Sequence, residues 1–183
     1  MKFQAPLDMS GCFNIPIINA LWRTCTGERF EYTDPKLCDF MAKLEQFMKL
    51  FGEKSTMLIL NYPKVFKWFP TLLKRDKQIT VHAGIMNMIR ESITEHQQTI
   101  DVNEPRDFID TYLNEIAATD DPSSSFYGEK GMVSLVNTMV DLFIGGSETT
   151  STVLTWAVLY MAREPEVQQR VQAEIDNIVG RGR

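Results

Sequence analysis

The chain has 183 residues, of which 44% are hydrophobic and 23% charged, enough for one domain with a real core. Its net charge of −5 argues against a general nucleic-acid binder, which needs a basic face. The three cysteines, Cys12, Cys25 and Cys38, form neither a disulfide framework nor a zinc pattern, and read as buried or half-buried thiols with no disulfide partner.

The opening MKFQAPLDMSG has no apolar h-region, so no signal peptide is expected. Cys12 to Cys25 is an apolar stretch that reads as a first helix, with Pro16 blurring its start. Thr33-Asp34-Pro35 is a helix start, an Asp cap followed by Pro at the first helical position. Apolar residues then recur at three- and four-residue steps as far as Gly52, which suits the C-terminal end. STMLILNYPKVFKWFP, broken by Pro63 and Pro70, reads as irregular chain with short helical turns. Leu72 to Gln97 predicts a long helix. Its His82 and His96 are isolated from each other and from cysteine, and read as solvated helix positions rather than metal ligands.

Asp107 to Ala117 predicts another helix, and DDPSSSFYGEKG is the most loop-like stretch. A helix from about 129 to 163 follows, far above the usual length. It is apolar at both ends, but Asp141 and Glu148 near its middle would each cost about 2.5–3.5 kcal/mol at a bilayer centre, so it reads as a core helix rather than a membrane span. Pro165 starts a last amphipathic helix with Val167, Val171, Ile175 and Ile178 on one side. No alternating strand pattern and no repeat is visible. The predicted class is all-α, in one unit over residues 1–183.

The middle of the long helix reads FIGGSETTS, Phe143 to Ser151. Adjacent glycines inside a helix cost about 1 kcal/mol each relative to Ala. They let a planar group or another backbone approach, and they ease a local widening or kink. Thr149 lies four residues after Gly145, so its hydroxyl can reach back to the Gly145 carbonyl. With Glu148 beside it, the stretch holds a carboxylate, a hydroxyl and room for water, the parts of a proton relay. On the residues alone, two plainer readings stand beside that one. Small residues permit close helix packing, and Ser/Thr hydroxyls back-bond without chemistry.

Gly145-Gly146-Ser147-Glu148-Thr149-Thr150 resembles the (Ala/Gly)-Gly-x-(Asp/Glu)-Thr-(Thr/Ser) signature of the distal helix of cytochrome P-450 monooxygenases, microsomal animal type and family 2 in particular. Asp141-Leu142-Phe143, Arg163-Glu164-Pro165-Glu166-Val167, Gly27-Glu28-Arg29-Phe30, Phe69-Pro70 and Pro105-Arg106-Asp107-Phe108-Ile109-Asp110 match further landmarks in order. The resemblance implies the central helical portion of that fold. It implies that Thr149 lies on the oxygen-binding side of a haem, that Glu148 delivers protons from solvent, and that Gly145 and Gly146 lie against the haem face. Gly145 stands where that type usually has Ala. Asp141 and Ile144 would line the substrate pocket with Gly145, and the segments 50–61 and 82–89 would roof it.

The implied reaction inserts one oxygen atom from dioxygen into a lipophilic small molecule. Electrons come from NADPH through a flavoprotein reductase, and the complete protein would sit on the endoplasmic reticulum membrane. No Phe-x-x-Gly-x-x-x-Cys loop or Glu-x-x-Arg motif is in this sequence, so no axial Cys ligand to the iron is expected from it, and neither is the membrane anchor. The expectation is a fragment of a haem-thiolate monooxygenase that is inactive by itself and exposes apolar faces. A non-catalytic helical binding module or a degenerate copy is the alternative.

Overall fold

The computed structural model describes residues 8–9, 11–52 and 75–180. Six helices carry the described chain, with no strand among the described residues: α1 (Asn14–Thr26), α2 (Pro35–Phe51), α3 (Arg75–Thr99), α4 (Phe108–Ala118), α5 (Gly128–Arg163) and α6 (Pro165–Ile178). The all-α expectation holds. The irregular stretch expected around Pro63 and Pro70 lies outside the described residues, as do Leu72 to Lys74 at the expected start of α3. No described helix is long and apolar enough to cross a membrane.

The helix ends follow from local chemistry. Pro16 is the third residue of α1, inside the first turn, where a missing N–H breaks no helical hydrogen bond. Gly27 ends α1 with φ +70°, a left-handed conformation suited to glycine, and its N–H bonds the Arg23 carbonyl at 3.0 Å. Asp34 caps α2 by accepting from the Lys36 N–H at 2.7 Å, with Pro35 in the first turn. Gly52 does follow α2, but its φ of −76° is open to any residue, so left-handed freedom is not what ends that helix. Asp107 caps α4 by accepting from the Asp110 N–H at 3.0 Å.

The core forms where α1, α2, α3, α4 and the first half of α5 meet. Val81, Ile85, Ile89 and Ile93 face it from α3 at four-residue steps. Trp22 of α1 is the hub, with the rings of Phe30, Phe40 and Phe143 each 5.1 Å away. Asn19 holds Phe30 to that hub by bonding both its N–H and its carbonyl at 3.0 Å. Gly131 lets α5 start close under the preceding loop. A Cβ there would stand 2.3 Å from the Phe126 carbonyl oxygen.

The 36 residues of α5 extend about 54 Å at 1.5 Å per residue, so the helix outruns this core. Beyond Ser151, Val153, Leu154, Trp156, Leu159 and Tyr160 are exposed. The predicted apolar stripe of α6, Val167, Val171, Ile175 and Ile178, is exposed too, and α6 buries no residue among those described.

Candidate functional site

Phe143 sits at the Trp22 hub and fixes the rotation of α5 about its axis. At about 100° per residue, Val140, Phe143, Ser147 and Ser151 then form one buried stripe. Residues 128–163 stay α-helical through both glycines, with no π turn and no break. The hydroxyls in the buried stripe are satisfied locally. Ser147 donates to the Phe143 carbonyl at 2.6 Å, and Ser151 donates to Asn14 Oδ1 across the α1–α5 contact.

Gly145 and Thr149 lie on the opposite side of the helix, one turn apart. The Thr149 hydroxyl donates to the Gly145 carbonyl at 2.5 Å, the back-bond their spacing predicts. A Cβ placed on Gly145 would meet nothing within 4 Å, and Leu142, Val153 and Trp156 extend the same exposed side. The two glycines therefore answer different needs. Gly146 faces α1, where a Cβ would come 3.2 Å from Leu21 Cδ1, while Gly145 borders open space.

Glu148 points elsewhere again, about 100° around the helix from Thr149. It lines a cavity between α1, α2 and α5 and makes no hydrogen bond or ion pair among the described residues. No hydrogen bond joins it to Thr149. Asp141 is exposed, and Ile144 is half-buried against the core. Of the two expected roof segments, Leu50 is buried at the end of α2 and the part beyond Gly52 is outside the described residues. The other meets α2 through His82, whose ring lies 5.8 Å from that of Phe47.

A second polar cluster joins α3 to the start of α4, and sequence reasoning missed it. His96, expected to be solvated, is buried. Its Nδ1 lies 2.7 Å from the Ser92 carbonyl oxygen and its Nε2 lies 2.8 Å from Asp107 Oδ2. A backbone carbonyl on one ring nitrogen and a carboxylate on the other are acceptors that favour the doubly protonated ring. Burial opposes that charge, but the bonds to Ser92 and Asp107 and the charges of Asp107 and Asp110 outweigh it and raise the pKa above its usual value.

Asp110 is fully buried and accepts from the Arg106 backbone N–H at 3.1 Å and from its guanidinium at 2.6 and 3.0 Å. Those bonds hold its carboxyl below the usual range. His96, Asp107 and Asp110 could place three ligand atoms within 4.8 Å of one another. Each already has hydrogen-bond partners: His96 has Ser92 and Asp107, Asp107 also has the Asp110 N–H, and Asp110 has Arg106. The one sequence signal was the spacing of Arg106 and Asp110, an i,i+4 pair.

The cysteines divide differently from expectation. Cys25 is buried in the core, where burial and the Asp107 charge push its thiol up to about 11, so it is a neutral packing group. Cys12 and Cys38 are exposed, Cys12 in the turn before α1 and Cys38 on the outer face of α2.

The sequence matches the family described as "Cytochrome P450" over residues 1–183. The chain belongs to the cytochrome P450 family. Human Cytochrome P450 2J2 is 37% identical over 182 residues, covering 97% of this chain and 34% of that protein. Mouse Cytochrome P450 2J5 is 35% identical over 167 residues, covering 91% and 32%. Cytochrome P450 18a1 of Drosophila melanogaster is 33% identical over 182 residues, covering 97% and 33%. This P450 chain thus spans about a third of the length of the curated relatives it matches. Its all-helical architecture is that of the helical part of the P450 fold.

Proposed function

We propose that this chain forms the oxygen-side wall of a haem-thiolate monooxygenase, and that it acts only as part of that larger protein. The observation that carries this reading is the open side of α5, where Gly145 has no Cβ, nothing stands within 4 Å, and Thr149 presents its oxygen one turn away. A flat apolar macrocycle fits such a surface, because Gly145 permits close approach and Leu142 and Trp156 offer apolar contact. When bound, haem supplies the redox chemistry that activates dioxygen, with electrons reaching it from NADPH through a flavoprotein reductase.

The chain's own residues supply orientation and protons. The Thr149 hydroxyl proton is committed to the Gly145 carbonyl, so the Thr149 oxygen offers lone pairs toward the open side. It holds a water or a protonated oxygen group there by accepting its hydrogen bond. Glu148, exposed and without a partner among the described residues, passes protons from solvent toward that position through water, since no direct bond links the two residues. Asp141, one turn before Gly145, and Ile144, next to it in sequence, border the lipophilic substrate, and Gly146 serves the wall indirectly by seating α5 on Leu21. None of these roles falls to Cys25, whose neutral thiol stays in the core. The complete protein resides on the endoplasmic reticulum membrane in this reading.

The test is haem content per protein in the full-length enzyme. Gly145→Leu, which projects a branched side chain into the open side, is expected to lower haem incorporation sharply while Gly145→Ala retains it. Equal haem content in both variants removes the assignment of this surface.

A further inference from the structure

We propose that the cavity between α1, α2 and α5 is a binding site for a small amphipathic amine, with Glu148 as its counter-ion. The cavity measures about 290 Å³. Ile15 and Ile18 of α1 and Met41 and Leu44 of α2 give it apolar walls, and Ser147 and Glu148 border it from α5.

Hydrogen-bond accounting selects the guest. The Ser147 hydroxyl proton is used on the Phe143 carbonyl, which leaves only lone pairs toward the cavity. Asn14 Oδ1 already accepts from Ser151. The other carboxylate on the lining, Glu45, is paired with Lys49 at 2.6 Å. Glu148 alone brings a formal charge with no partner among the described residues. A neutral guest would cover that carboxylate without compensating it, and covering an unpaired charge is costly. An ammonium group compensates it with charge-assisted hydrogen bonds while the remainder of the guest covers the isoleucines and Met41. The volume lies just below the usual range of ligand clefts, so the guest is a single ring or a short chain.

This site is about a quarter-turn of α5 away from the Gly145–Thr149 side, so a guest here is not placed as a substrate would be there. If Glu148 handles protons as proposed above, an amine bound to it competes with that role, a consequence that rests on that reading. The binding itself does not.

The experiment is calorimetric titration of the purified chain, first shown by circular dichroism to be helical and to unfold cooperatively, with 2-phenylethylamine and with its neutral analogue 2-phenylethanol. The amine is expected to bind, and the alcohol to bind at least about tenfold more weakly. Glu148→Gln should remove that preference. Ala42→Phe, a change at an exposed lining position, should fill the cavity and abolish binding. Thr149→Val should leave amine affinity unchanged. No binding, equal binding of amine and alcohol, or amine binding lost in Gly145→Leu but kept in Ala42→Phe each overturns the proposal. Because no haem and no turnover enter the readout, it can fail while the oxygenase reading stands, and the reverse.

Discussion

His96 Nε2 donates to Asp107 Oδ2 at 2.8 Å, and the same carboxylate caps α4 through its other oxygen, which accepts from the Asp110 N–H. One side chain thus fixes both the start of α4 and its docking on α3. A Cβ on Gly27 would stand 3.2 Å from Asp107 Oδ2, the oxygen that faces His96, so the end of α1 is fitted around the cluster as well.

This arrangement makes stability depend on pH in two directions. The folded pKa of His96 is raised above 6.5, so its contribution is complete below about pH 6.5 and is lost as pH rises through the folded value. The folded pKa of Asp110 is depressed below 3.8, so its contribution is complete above about pH 3.8 and is lost as pH falls through its folded value. The cluster is strongest between those limits. Glu28 adds negative charge near Arg106, and Cys25 stays neutral beside Asp107, so neither reverses the sign. His96→Gln removes the charge facing the buried Asp107 carboxylate, which keeps its bond from the Asp110 N–H, and is expected to cost about 1–3 kcal/mol near pH 6. Thermal unfolding of wild type and variant across pH 5 to 10 checks this. The gap between them should close at the alkaline end, and a gap constant with pH would rule out an imidazolium.

Three glycines of α5 give an ordered prediction, because the space around each differs. Gly145→Ala enters open space and gains helix propensity, so it should stabilise the chain by up to about 1 kcal/mol. Gly146→Ala meets a Leu21 methyl, the far end of a flexible side chain, so packing loss and propensity gain should nearly cancel. Gly131→Ala drives a Cβ into the Phe126 carbonyl, which is backbone and cannot step aside, and should destabilise by about 1–3 kcal/mol despite the propensity gain. Denaturant midpoints of the three variants rank them. Loss of stability in Gly145→Ala would mean that its open side is covered in the folded chain.

These glycines also mark what the sequence could and could not reveal. Asp34-Pro35 and the cap at Asp107 announce helix starts because their hydrogen bonds reach only two or three residues ahead. The Thr149 back-bond was legible for the same reason, as it spans one turn. Gly145 and Gly146 look alike in the sequence, and only the position of Leu21, 125 residues from Gly146, separates them. His96 reads as a polar residue late in a polar helix. Its burial is decided by Asp107, which returns to it after a loop that no periodicity describes. The amphipathic pattern of α6 puts Val167, Val171, Ile175 and Ile178 on one side, yet all four are exposed, since pattern fixes which residues share a side but not whether anything packs there.

The role proposed for Thr149 separates from a purely structural one by choice of variant. The hydroxyl proton is held by the Gly145 carbonyl at 2.5 Å, so an acceptor faces the open side. Thr149→Ala removes that acceptor and leaves an exposed helical position that tolerates Ala without loss of stability. In the full-length enzyme, hydrogen peroxide released per NADPH consumed should rise several-fold, with product falling to match, because protons and oxygen are no longer held in register. Thr149→Ser restores the oxygen at the same place and should return most of the coupling. Thr149→Val keeps the shape without the acceptor and should behave as Ala does. Peroxide and product measured together in the three variants distinguish an acceptor from a spacer: if Val couples as well as Ser, the hydroxyl does no more than fill space.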